Sequence, residues 1–234
     1  MGETKIGLVL EGGGMRGVYT AGVLDAFLDA GLEFDGTLGV SAGSCHAASF
    51  LSKQRGRAYR VNVSYLNDWR YCSARSWLTT GDFFGAKMLY DTIPNQLDLY
   101  DHTAFEQRRG WFRAVVTNLA SGEAEYPVIE DLHRDIIWLQ ASSSLPLLSR
   151  TVKIEGQEYL DGGISDSIPV KAVSYTHLDV FYFRPIIPQA LFEAQVNIPC
   201  EIYADTAIGF ANGWEPWYNE TWSLEGYSGR NLFN

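Results

Sequence analysis

Two glycine-rich turns, Glu11-Gly-Gly-Gly-Met-Arg-Gly17 and Gly39-Val-Ser-Ala-Gly43, each follow an apolar run and precede a helical pattern. Glycines in such positions let a buried strand turn sharply into a helix, because they carry no side chain to clash with the returning backbone. The run Lys5-Ile-Gly-Leu-Val-Leu10 is short and apolar and reads as a buried strand of the parallel type. From Arg16 to Ala30, the residues Val18, Ala21, Leu24, Phe27 and Leu28 recur at helical spacing, and Gly31 stands where a left-handed helix terminus belongs. Residues 32–40 are a short connection to the second turn, and 42–52 read as a small-residue helix able to pack closely beneath it.

Residues 53–110 differ in character. Lys53, Arg55, Arg57 and Arg60 form a basic run that reads as a solvated face, followed by Tyr65, Trp69, Tyr71, Trp77, Phe83, Phe84 and Tyr90. This stretch is expected to be irregular helical structure inserted between core elements, its aromatics serving as core or as the wall or lid of a site. Residues 111–118 read as another apolar strand, 124–128 as its return, and 130–140 as a helix through Leu132, Ile136, Ile137 and Leu139. A hairpin over 152–160, turning at Glu155-Gly156, delivers Asp161-Gly-Gly163, and 179–184 make one more strand. Strands alternating with helical segments predict an α/β fold on a mainly parallel sheet. Residues 1–185 are read as the domain. The pattern breaks at Ser174-Tyr-Thr-His-Leu-Asp-Val180, and residues 186–234 are unassigned, an atypical or mis-joined segment in this reading.

The chemistry concentrates at three glycine clusters. Gly39-x-Ser41-x-Gly43 is a nucleophile-elbow pattern, in which a strained strand-to-helix turn lifts a hydroxyl clear of the backbone at a helix N-terminus. The bland alternative is a glycine-tolerant turn whose serine merely caps the helix. A serine nucleophile needs a base. A triad of Ser41, Asp161 and His177 is formally available, but a triad hydrolase places several strands before its elbow and forty residues cannot hold them. His46, His102, His133 and His177 are therefore expected to be structural. Asp161-Gly162-Gly163 is the better partner, since the glycines let the carboxylate approach another loop. An aspartate with an ordinary pKa near ~3.9 becomes a useful base at neutral pH only where the site desolvates it.

Gly12-x-Gly14-x-x-Gly17 also satisfies the dinucleotide fingerprint, with Glu33 or Asp35 as the ribose-binding acid. Only Leu32–Phe34 separate the helix end from Asp35, too few for the strand that should precede the acid. What this turn does offer is a row of amides opening a helix, suited to an oxyanion, with Arg16 adding charge at the rim.

A chain of 234 residues supports one sizeable core. Its net charge of −10 opposes nucleic-acid phosphates and anionic lipid surfaces, so nucleic acid is excluded as a partner and any lipid contact must be apolar or local. Cys45, Cys72 and Cys200 are an odd, widely spaced set without a metal-site or disulfide pattern, which points to a reducing compartment. The sequence has no signal-peptide pattern and no apolar run near the ~20 residues of a spanning helix, so a cytoplasmic protein is expected. It carries no signal for oligomeric state.

The loop 12–17, the turn 39–43 and Asp161-Gly-Gly163, in that order, resemble the patatin-like phospholipase family, in particular its bacterial single-domain members. Ala141-Ser-Ser-Ser-Leu-Pro146 and the stretches 82–105 and 117–126 are similar to that family as well, and the resemblance covers about residues 5–185. It implies a three-layer α/β/α fold and a Ser-Asp dyad with Ser41 as nucleophile and Asp161 as base. By the same resemblance, Gly12, Gly13, Gly14, Arg16 and Gly17 form the oxyanion hole, while Gly39, Gly43, Gly162 and Gly163 shape the turns. It further implies hydrolysis of a lipid or other acyl ester, at a membrane surface in some members, and no metal or organic cofactor. The rivals are a dinucleotide-binding oxidoreductase using Gly12–Gly17 and a non-catalytic lipid-binding protein on the same fold.

Overall fold

Strand β1 (Ile6–Leu10) turns Leu8 and Leu10 into one core cluster and Val9 into another, all three fully buried, so both of its faces are covered. In the computed structural model, which describes residues 5–174, 179–184 and 207–210, this strand lies inside the sheet. A single 3-10 turn (Gly14–Gly17) leads into α1 (Val18–Asp29). Helix α1 ends as the sequence predicts: Gly31 has φ 65°, Leu32 N–H donates to the Phe27 carbonyl at 2.9 Å, and Gly31 N–H to that of Leu28 at 3.0 Å.

Next comes β2 (Gly36–Val40), all five residues buried, where the sequence reading had only a connection. Two glycines in five residues weaken its strand signal, and burial between neighbouring strands overrides that weakness. Then follow α2 (Ala42–Leu51), α3 (Arg57–Val63), α4 (Ala74–Thr80), a π-helical segment (Met88–Leu97) and α5 (His102–Glu106). The chain continues through β3 (Trp111–Asn118), β4 (Ala124–Glu125), α6 (Ile136–Ser142), β5 (Val152–Ile154) and β6 (Gln157–Asp161). A 3-10 turn (Gly162–Ile164), α7 (Val170–Ser174), β7 (Asp179–Arg184) and β8 (Ala207–Phe210) complete the described elements.

The centre of the sheet, β3-β2-β1-β7, is parallel, and its margins are antiparallel. Helices α1 and α2 pack with Leu8 and Leu10 on one face, and Val170, Ala172 and Val173 of α7 pack with Val9 on the other, giving the α/β/α layering. Strand β3 is the joint. Its first five residues pair with β2, ending at Val40↔Val115, and its last three pair with β6, starting at Val116↔Asp161. Because β4 and residues 127–129 occupy the other edge of β3, β6 must follow end-on behind β2. The register therefore brings Asp161 to the end of β2, where Ser41 begins the turn.

Three local expectations are corrected. The return strand narrows to β4 and a bridge at Val128, since Pro127 has no N–H to give the ladder. The helix expected from residue 130 begins at Ile136, because the Asp135 carboxylate accepts the amides of Glu130 and Asp131 and holds a turn there. In the basic run, Lys53, Arg55 and Arg60 make exposed pairs with Glu33, Asp29 and Asp98, but Arg57 is only 2% exposed. Its guanidinium stacks 3.5 Å from the Tyr100 ring centroid and donates to Ser49 and the Asp98 carbonyl. The domain boundary at 185, His177, Cys200 and, apart from β8, the segment 186–234 lie outside the described residues.

The larger core cluster is anchored by Phe112, fully buried on β3 and edge-on to Phe105 at 6.3 Å. Phe112→Ala is expected to lower unfolding stability by about 3–5 kcal/mol, the range for a truncated buried aromatic, as read from the urea midpoint.

Candidate active site

Ser41 ends β2 and opens α2 with φ 55° and ψ −130°, a conformation rarely adopted by a residue with a side chain. Three glycines make room for it. A Cβ on Gly12 would lie 2.7 Å from the Ser41 Cβ, one on Gly39 would lie 2.5 Å from the Ser44 Cα, and one on Gly43 would lie 2.5 Å from the Leu10 carbonyl oxygen. The turn is also tied down by hydrogen bonds. Ser41 N–H donates to the Ser142 hydroxyl at 2.9 Å, and the Ser41 carbonyl accepts from the Ser44 hydroxyl at 2.7 Å and its amide at 2.9 Å.

Asp161 ends β6 and is 3% exposed. Its Oδ1 accepts the Gly163 amide at 2.8 Å, capping the 3-10 turn, while Gly162 packs against the Val115 carbonyl too closely for a side chain. Its Oδ2 has no hydrogen-bond partner of full geometry. Burial pushes the carboxyl above its ordinary value, and the Ser41 hydroxyl and the Gly163 amide pull it partly back. The serine hydroxyl thus lies near enough to the carboxyl to favour its charged form. Oδ2 is the free oxygen.

Gly14 and Met15, from the first glycine turn, border the same cavity of about 100 Å³ as Ser41. Within that turn the Gly13 carbonyl accepts the Arg16 amide at 3.1 Å and the exposed Arg16 Nε–H at 3.4 Å. Gly17 abuts the imidazole of His46. The structure therefore brings the two glycine turns and Asp161-Gly-Gly163 to one end of the sheet, with the glycine turns bordering the cavity and Asp161 set against Ser41. The cavity's far wall comes from the 53–110 insertion, through Arg57, Asn62, Tyr71, Tyr90 and Tyr100.

The histidines are placed elsewhere or otherwise engaged. His46 is buried, and desolvation lowers its pKa to about 4, so it is neutral at physiological pH. Because the Asn62 amide nitrogen also donates to the Ala58 carbonyl, it must donate to His46 Nε2, which fixes the proton on Nδ1. His102 and His133 stack on each other at 3.6 Å. Among the described residues no histidine hydrogen-bonds Ser41 or Asp161. Burial raises the thiol pKa of Cys45, which also lines the cavity, so it stays protonated. Among the described residues no cluster of His, Cys, Asp or Glu could hold a metal ion, and no helix is long and apolar enough to cross a membrane.

The acids of the dinucleotide reading face the wrong way. Asp35 precedes β2 and accepts the Ile6 amide at the start of β1, with Arg109 2.8 Å away. That is the opposite end of these parallel strands from the glycine turn. Glu33 pairs with Lys53.

Residues 142–144 entered the sequence reading only as part of the family resemblance at 141–146, with no role in the site. Ser142 holds the Ser41 amide, Ser143 lines the cavity, and the Ser144 carbonyl accepts the Asp161 amide at 2.9 Å. The run of three serines before Leu145-Pro146 was the available signal.

The patatin-like phospholipase family profile matches residues 8–174, and the chain belongs to that family. The chain is 35% identical over 175 residues to the uncharacterized protein YjjU of Escherichia coli, covering 71% of this chain and 48% of YjjU. It is 27% identical over 226 residues to lysophospholipase nte1 of Aspergillus niger, covering 91% of this chain and 14% of that protein. The chain thus spans about half the length of the first relative and a small part of the second. VipD of Legionella pneumophila aligns in structure with a TM-score of 0.43 at 16% identity, covering 70% of this chain and 47% of VipD.

The raised pKa of Asp161 has a stability consequence. Between the ordinary value of 3.8 and the higher native one, the folded chain binds more protons than the unfolded chain, so stability from this group falls as pH rises through that interval. Asp161→Asn should therefore leave the melting temperature at neutral pH unchanged or raised, and weaken its dependence on pH in that acidic window. A marked fall at neutral pH, read by thermal melts across the window, would show that the ionised carboxylate holds the fold.

Proposed function

We propose that the chain is a serine-dependent lipid acyl hydrolase acting on carboxylic esters of phospholipid or lysophospholipid type. The observation that carries this reading is the pairing of a serine in a strained elbow with a buried carboxylate that keeps one oxygen free. Family membership and the relative named as a lysophospholipase support the substrate class.

In this mechanism Asp161 Oδ2 takes the proton of the Ser41 hydroxyl as its oxygen attacks the ester carbonyl. The amides of Gly13, Gly14 and their neighbours face the oxygen that becomes negative, and the N-terminal end of α2 adds its dipole. Collapse of the tetrahedral adduct releases the alcohol, which takes the proton from Asp161 and leaves an acyl-Ser41 ester. Water then attacks that ester, giving its proton to Asp161. The second collapse frees the fatty acid and returns the proton to the serine. Desolvation suits the carboxyl to this exchange, because it strengthens a base that would be feeble in water. No histidine is required.

Fluorophosphonate labelling tests the nucleophile. The wild type is expected to label and Ser41→Ala not to. Failure of the wild type to label would favour the non-catalytic lipid-binding rival, and equal labelling of the variant would exclude Ser41. Asp161→Asn is expected to cut kcat for a short-chain p-nitrophenyl ester by about 10²-fold or more, the scale of a lost general base. Near-normal turnover by this variant would remove Asp161 from the mechanism. A nicotinamide-binding titration should give no signal.

A further inference from the structure

The chain exposes large apolar side chains from two segments, one of which continues from the cavity wall at Leu145. Leu78 on α4 is 80% exposed and its neighbour Trp77 is half-exposed, while Leu147 in the turn after α6 is 90% exposed, followed by a partly exposed Leu148. The segments are fastened together. The Trp77 indole N–H donates to the Leu147 carbonyl at 3.1 Å, and the Phe83 amide to the Leu148 carbonyl at 2.7 Å. Leu147 also has φ 68°, a left-handed conformation that is costly for leucine and free for glycine. A connecting turn has no need of a strained, pinned and outward-facing leucine.

This turn leads on from the cavity wall without itself lining it. Ser143 and Leu145 line the cavity, and Leu147 lies two residues beyond. Charge follows the same edge. Arg75 lays its guanidinium 4.3 Å from the ring centroid of the exposed Trp69, and Arg150 closes the turn against Gly81. Among the described residues neither arginine makes an ion pair, whereas Lys53, Arg55, Arg60 and Arg70 each have a carboxylate partner. Two cations without a carboxylate partner for their side chains thus stand beside exposed tryptophan and leucine, although the Asp82 carboxylate accepts the Arg150 amide at 2.9 Å. Apolar tips flanked by tryptophan and arginine match the boundary between acyl chains and headgroup phosphates.

We infer that the rim of Trp69, Trp77, Leu78, Leu147 and Leu148, with Arg75 and Arg150, seats on a phospholipid surface and opens the Ser41 cavity toward it. The acyl-hydrolase reading gives this contact its purpose. The contact itself is physically separate from the chemistry, so the two can fail independently.

The test uses the full chain, with co-sedimentation on phosphatidylcholine vesicles containing phosphatidylglycerol and, in parallel, turnover of a soluble short-chain p-nitrophenyl ester. The variant is Leu78→Ser with Leu147→Gly, in which glycine relieves the left-handed strain and protects the fold. The wild type should sediment with the vesicles, and the variant should partition about tenfold or more weakly while its ester turnover is unchanged. Equal vesicle binding by both proteins overturns the inference. A wild type that ignores vesicles also overturns it. In that case, a dimer that the variant dissolves assigns the rim to a second copy. Vesicle binding lost in the variant, with no ester turnover by either protein, upholds the rim and sinks the Ser41 reading.

Discussion

The backbone at Ser41, held at φ 55° and ψ −130°, is the constraint on which the rest of the site depends. Such a conformation costs on the order of 1–3 kcal/mol and persists only when its surroundings over-determine it. Here they do. Gly12, Gly39 and Gly43 place no side chain where it would collide with the turn, and Ser142 and Ser44 hold its amide and carbonyl. The strain is thereby borne by packing of the central strands, which is the most buried part of the molecule. The hydroxyl stands clear because the backbone beneath it cannot relax.

The second constraint is the change of partner along β3. A strand that runs beside β2 and then beside β6 sets the end of one against the end of the other, and so brings together residues 161 − 41 = 120 positions apart. Sheet register fixes the Ser41–Asp161 encounter without any loop having to reach across. The serines at 142–144 reinforce it, with one gripping the elbow and another receiving the amide of the acid. Asp161 is held in place by backbone contacts, and the described histidines, His46, His102 and His133, are engaged in packing and stacking elsewhere.

Much of this was readable before any coordinates. The apolar run at 5–10, the helical period of 18–29 and the left-handed stop at Gly31 each follow from local chemistry, and the structure has them. The glycine clusters were visible because glycine at such density has few structural excuses. What escaped was decided by tertiary context. Strand β2 hides behind Gly36 and Gly39, whose low propensity is outweighed by neighbours on both edges. Arg57 looks like its solvated companions until Tyr100 and the Asp98 carbonyl claim it. Ser142 is an ordinary helix-end serine until the fold sets the Ser41 amide opposite it. Side chains that act through a partner more than a hundred residues away leave no mark in their own neighbourhood.

The π-helical segment Met88–Leu97 gives this chain a point of adjustment. Tyr90 and Ile93 border the cavity from this segment, and the Asp98 amide reaches back five residues to the Ile93 carbonyl. A turn of that width holds one residue more than an α-turn, and gaining or losing a residue there rotates the following side chains by about 100° around the axis. The sheet register, Ser41 and Asp161 lie on other elements, linked to this segment through α6 and the Tyr90–Cys45 contact. A single codon inserted or deleted in this segment would therefore act first on the far wall of the pocket, through Tyr90 and Ile93.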